Sequence, residues 1–120
     1  MKTRAQDWSA SAYTRVSAAK DAATKAKYKT SCMKMPGLIH QSGLLQALVF
    51  QVARDEAGRS YVDHLAQTYF AAPNADHKRL ITHAQGLELK PYMALTQDVA
   101  QIAQWFRKFA QIELSAVADS

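Results

Sequence analysis

Between Leu44 and Arg54 the chain reads LLQALVFQVAR, and Leu44, Leu45, Ala47, Leu48, Val49, Phe50, Val52 and Ala53 leave almost no polar side if the segment is helical. A helix that is apolar all round has to be enclosed by other elements. The segment is therefore expected to form the buried centre of a layered structure, with Phe50 inside it. No other stretch restricts the possible folds as strongly.

The enclosing elements are expected to be helices. Four Gly and three Pro in 120 residues, with abundant Ala, Gln, Lys and Leu, favour helix over sheet, because straight-chain residues lose little rotamer freedom in a helical turn. At this length, and with 48% hydrophobic residues, one domain can close a core and two ordinary ones cannot. The expected fold is all-α: a single-domain bundle of about five to six helices over residues 1–120, with long first and last helices and a frayed tail at 116–120.

Helix punctuation places most of these elements. Thr3 followed by Gln6 fits a capping box, opening a first helix over 4–28 whose inner stripe is Ala5, Trp8, Ala12, Val16, Ala19, Ala23 and Ala26. Side chains this small bury little area, so the helix must pack closely or rely on Trp8. A short second helix is expected over Ser31–Gln41 around Pro36, and Gly43 separates it from the apolar helix at 44–54. Gly58 suits a stop, with a restart at Ser60 and Asp63, and Pro73-Asn74 ends that helix. A fifth helix is expected over 75–85, stopping near Gly86. Pro91 suits the first turn of a last helix over 91–115. Leu95, Val99, Ile102, Trp105, Phe106, Phe109, Ala110 and Ile112 cover about half of its circumference, more than the roughly 100° stripe of a helix packed on one side.

The chain lacks the residue clusters that catalysis needs. His40, His64, His77 and His83 have neither a His or Glu at metal-ligand spacing nor a cysteine partner, so no metal site is expected and they read as bonded surface or boundary residues. Asp55-Glu56 beside Gly58 looks like a solvated turn, not an acid/base pair. No Gly-rich loop opens a helix to cradle a nucleotide, and no cofactor is expected. Cys32 stands alone and reads as a small buried hydrophobe. No apolar run approaches the roughly 18–20 residues of a membrane span, and the first fifteen residues lack a signal-peptide core. A cytoplasmic protein without membrane association is expected.

Charge is the remaining signal. The net charge is +5, yet residues 1–40 hold eight Lys/Arg against two acids, whereas residues 41–120 hold seven against eight. Such a basic third suits a polyanion or an acidic protein surface as partner, since clustered Lys/Arg attract phosphates without reading sequence. The candidate phosphate-contacting residues are Arg15, Lys20, Lys25, Lys27, Lys29 and Lys34, with Tyr28 among them, while Arg107 and Lys108 on the last helix read by themselves as solubilising charge that snorkels over Trp105. On a helical wheel Lys20 and Lys27 flank one side of the apolar stripe and Lys25 and Lys29 the other, so they form no single track. The competing reading is a solvated helix kept soluble by lysines, in a free-standing helical adaptor that binds protein and no RNA.

Two segments carry a family resemblance. Pro36, Ile39, Gly43, Leu44, Ala47 and Phe50 in MPGLIHQSGLLQALVF, and Thr96, Trp105, Arg107, Lys108, Phe109 and Ala110 in TQDVAQIAQWFRKFA, resemble the small-subunit family of the type III-B CRISPR effector, the Cmr complex. The resemblance covers nearly the whole chain in length and order of elements. It implies a small all-helical protein without catalytic residues, several copies of which stack beside a filament of backbone subunits in an RNA-guided particle. It also implies, as partners, the other Cmr subunits, the guide RNA (crRNA) and the target RNA, with the basic residues above supporting the duplex.

Overall fold

In a computed structural model, which describes residues 1–118, the chain forms α1 (Arg4–Ala19), α2 (Lys25–Ser42), α3 (Leu44–Arg54), α4 (Glu56–Phe70), α5 (His77–Gln85) and α6 (Leu89–Glu113), with no strand among the described residues. The all-helical class, the helix number and the long last helix follow the expectation. Thr3 and Gln6 close the capping box at α1: the Gln6 amide donates to Thr3 Oγ1 at 3.1 Å, and the Thr3 amide to Gln6 Oε1 at 2.7 Å.

The first helix is shorter than its periodicity predicts. It breaks after Ala19, where the amides of Lys20, Asp21 and Ala22 each reach back three residues instead of four. Trp8, Ala12, Val16 and Ala19 are buried, while Ala5 and Ala23 are exposed. A stripe of alanines gains too little burial to hold a straight rod together. The turn at 20–24 redirects the chain so that Tyr28, Cys32, Met35 and Ile39 face the core from α2. Pro36, expected to sit in a separate short helix, lies inside α2. Its missing amide costs one hydrogen bond, which burial of Met35 and Ile39 on either side offsets.

Gly43 joins α2 to α3 with φ +83°, a backbone region that side chains rarely enter. At the other end of α3 the expected stop at Gly58 is not observed. Asp55 ends α3 and caps α4, its Oδ1 accepting the Gly58 amide at 2.7 Å. A carboxylate at a helix start satisfies an orphan donor, so α4 begins at Glu56 and Ser60 lies within it. Burial raises the Asp55 carboxyl, but the Gly58 amide and the neighbouring Arg54 outweigh it and leave its pKa below the ordinary value.

The expected all-round burial of α3 is also corrected. Leu44, Ala47 and Leu48 are fully buried, as is Gln51, yet Val49 and Phe50 are 48% and 46% exposed. The centre lies instead where α2, α4 and α6 meet, around Tyr61 and Phe106, whose rings are 5.6 Å apart, and Tyr28, 5.9 Å from Tyr61. The buried face of α6 consists of Leu95, Val99, Ile102, Ala103, Phe106 and Ala110, and it packs on α1, α2 and α4. Of the tail expected to fray, residues 119–120 lie outside the described residues. Val117 donates its amide to the Leu114 carbonyl at 3.0 Å and accepts from Lys29 Nζ at 2.7 Å.

Candidate functional site

The basic residues divide into those with partners inside the fold and those presented to solvent. Arg15 is half-buried, donating Nε to Gln67 Oε1 at 2.9 Å and Nη1 to Ser11 Oγ at 2.8 Å, which ties α1 to α4. Lys20 pairs with Glu113 at 3.1 Å, and Lys29 reaches the Val117 carbonyl. Lys25, Lys27, Lys34 and Lys108 are exposed and Arg107 is half-buried. Helical geometry sets Lys27 and Lys34 about 20° apart around α2, with Lys25 about 180° from Lys34. The exposed lysines therefore form a short row and a separate charge, not one track.

Lys108 lies with Nζ 5.9 Å from the Trp105 ring centroid. Trp105 and Phe109 stack at 5.9 Å, and Tyr13 meets Phe109 edge-on at 5.4 Å. Between α1 and α6 these rings border an open apolar groove of about 410 Å³ over Ala5, Ser9 and Ala10. A second apolar depression of about 420 Å³ lies on Leu45, Val49 and Phe50 of α3, beside Gln46 and Gln85. The wide apolar stripe of the last helix pointed to a contact beyond the core on α6, whereas sequence reasoning placed Val49 and Phe50 inside the core and missed the depression on α3.

Three of the four histidines have local partners, and His40 is exposed at the end of α2. His77 donates its amide to Asp63 Oδ1 at 2.6 Å and bonds the same oxygen through Nδ1 at 2.7 Å, pinning the start of α5 to α4. His83 packs edge-on against Phe70. His64 Nδ1 bonds the hydroxyl of the buried Tyr28 at 2.7 Å. Burial, followed by the Arg15 charge, holds this imidazole down to about 4, against a smaller upward pull from Asp63. Burial likewise raises the Tyr28 and Tyr61 phenols and the Cys32 thiol well above their ordinary values, so all three remain protonated and Cys32 carries no thiolate. Cys32 is fully buried, as expected. Among the described residues no group of three His, Cys, Asp or Glu is placed to hold a metal ion, and no helix is long and apolar enough to cross a membrane.

Fold and surface together define an all-helical domain whose accessible features are exposed lysines and two apolar depressions. The chain belongs to the CRISPR-associated Cmr5 family; residues 4–113 match the family described as CRISPR-associated protein (Cas_Cmr5). The CRISPR system Cmr subunit Cmr5 of Thermus thermophilus is 37% identical over 112 residues, which cover 92% of this chain and 96% of the relative. The crystal structure of a CRISPR-associated Cmr5 family protein from the same species aligns with a TM-score of 0.89 at 36% identity, over 95% of this chain and 99% of that one. Both segments that carried the resemblance lie within the matched residues.

Proposed function

We propose that this chain is the small helical subunit of a type III-B CRISPR effector, the Cmr complex, that it performs no covalent step, and that it supports guide and target RNA in cytoplasmic antiviral defence. The observation that carries this reading is the match to a Cmr subunit over almost the full length of both chains. Its mechanism is electrostatic and architectural. Lys25, Lys27, Lys34 and Lys108, which reach solvent, attract phosphates by charge and counterion release. Arg15, Lys20 and Lys29 contribute mainly to the local potential, because their head groups hold the fold together. The two apolar depressions suit contacts with neighbouring subunits, including further copies of this chain, since exposed patches of this kind mark protein interfaces.

The test is reconstitution with the other Cmr subunits and their guide RNA. This chain should enter the particle, and its omission should leave target cleavage chemically unchanged but weaken target-RNA binding. Absence from the particle would overturn the reading in favour of a free-standing adaptor. Nuclease activity that copurifies with the isolated chain and disappears with a point substitution in it would overturn the non-catalytic assignment.

A further inference from the structure

A pocket of about 160 Å³ lies between the end of α1, the 20–24 turn, the start of α2, and α4. Alanines floor it, and its polar wall is Arg15, Thr24, Tyr28, Ser60 and His64. No carboxylate lines it. Asp63, the nearest acid in sequence to His64, is occupied by His77.

The polar groups are held so that their spare donors have no protein partner. Gln67 and Ser11 fix the Arg15 guanidinium through Nε and Nη1, leaving Nη2 without a partner among the described residues. The Tyr28 hydroxyl occupies His64 Nδ1. With the phenol, the stronger acid, assigned as donor, the neutral ring carries its proton on Nε2 and can donate from there. The hydroxyls of Ser60 and Thr24 likewise bond no described residue, and Thr24 opens α2 without a side-chain cap or an acid in the first turn. The positive end of the α2 dipole, with Lys25 and Lys27 on it, therefore has no acid in its first turn, and Asp21 in the preceding turn is the nearest in sequence.

A preformed guanidinium, an imidazole N–H and hydroxyls without a counter-carboxylate suit an oxyanion. The volume admits a tetrahedral group, with any attached sugar left outside it. We propose that this pocket binds a phosphoryl group, gripped by Arg15, His64 and Ser60. A monoester or free phosphate brings at most one substituent out through the mouth, where an internal phosphodiester brings two, so the proposed ligand is a monoester or free phosphate. The two sources are inorganic phosphate and the 5′-terminal phosphate of an RNA. The inference goes beyond the assembly reading: phosphate binding by the isolated chain tests the pocket, and reconstitution tests the assembly.

The experiment titrates the full-length protein with inorganic phosphate, following backbone amides and the His64 ring by NMR. Expected are saturable shifts at Ser60 and His64 and an upward move of the His64 titration. The charged and titratable groups facing that ring are Arg15 from α1, Tyr28 from α2 and Asp63 from α4. Arg15→Gln and His64→Gln should each weaken binding roughly tenfold, the loss of one charge-assisted or buried donor. Ser60→Asp, which places a carboxylate in the pocket, should abolish binding, and Ser60→Ala, a good helix former inside α4, should weaken it with the fold kept, so the test survives if Arg15→Gln fails to fold. A short RNA bearing a 5′-phosphate should compete with phosphate if RNA ends are the source, and its 5′-hydroxyl counterpart should not. Competition by neither assigns the pocket to free phosphate. Shifts confined to surface lysines, or phosphate binding undiminished in Ser60→Asp, would overturn the proposal.

Discussion

A Cβ atom added to Gly58 would overlap the carbonyl oxygen of Gln51 and approach its carbonyl carbon to 2.8 Å, so the first turn of α4 rests on the backbone of α3. Both sides of that contact are main chain, and neither can rotate away. Gly58→Ala should therefore destabilise the protein by about 3 kcal/mol through overpacking. Gly37, in the middle of α2, has nothing within 4 Å of its own Cβ position, and Gly37→Ala should stabilise by about 0.5–1 kcal/mol. Urea titrations of the two variants should move the midpoint in opposite directions.

Leu48 is fully buried and Phe50 is 46% exposed. Leu48→Ala should cost about 2–5 kcal/mol, whereas Phe50→Ala should cost less than about 1 kcal/mol, because no enclosed cavity is left behind. Thermal melts of the isolated chain distinguish them, and an equal loss would place Phe50 in the core after all. Within the reconstituted particle the order should reverse for incorporation, if the α3 depression is a subunit contact.

Acid should weaken the fold through His64. Its folded pKa of about 4 lies below the unfolded value of 6.5, so the unfolded chain takes the proton first and stability falls as pH drops from 6.5 toward 4. At about 1.4 kcal/mol per unit, the loss between pH 7 and pH 5 is at most roughly 2 kcal/mol. Unfolding free energies at those two pH values should differ by this much in the parent chain and by little in His64→Gln.

Neutralising Lys25, Lys27 and Lys34 together should weaken binding of unrelated RNA sequences to a similar degree and flatten the salt dependence by about one unit per lost contact. The comparison variant neutralises Lys78 and Lys90, exposed on α5 and α6, and should have the smaller effect. Equal effects, or an unaltered salt slope, would make the α2 lysines solubilising surface.

Much of the helical punctuation was legible because it depends on neighbours in the chain. The Thr3 capping box, Gly43 at a reversal of direction and Pro91 in the first turn of α6 are where local chemistry places them. Other boundaries failed where two local signals competed and packing chose. Gly58 reads as a stop, but Asp55 three residues earlier offers a cap, and close contact with Gln51 needs a residue without Cβ. Ser31 reads as the start of a short helix around Pro36, but burial of Tyr28 ahead of it and of Met35 and Ile39 beside Pro36 accompanies one helix over Lys25–Ser42.

The sequence by itself determined the helical class, the concentration of charge in the first third, and the family. Each of these depends on residue type and spacing along one chain. Which apolar residues are enclosed, which cations remain available, and that Arg15, Ser60 and His64 share a pocket were decided by tertiary structure alone. These properties belong to pairs of surfaces. Arg15 and Lys27 are equal charges in sequence, yet Gln67 and Ser11 fix the head group of one while the other projects into water. Leu48 and Phe50 are both apolar, yet they sit about 200° apart around α3, and the neighbouring helices cover only the side that carries Leu48.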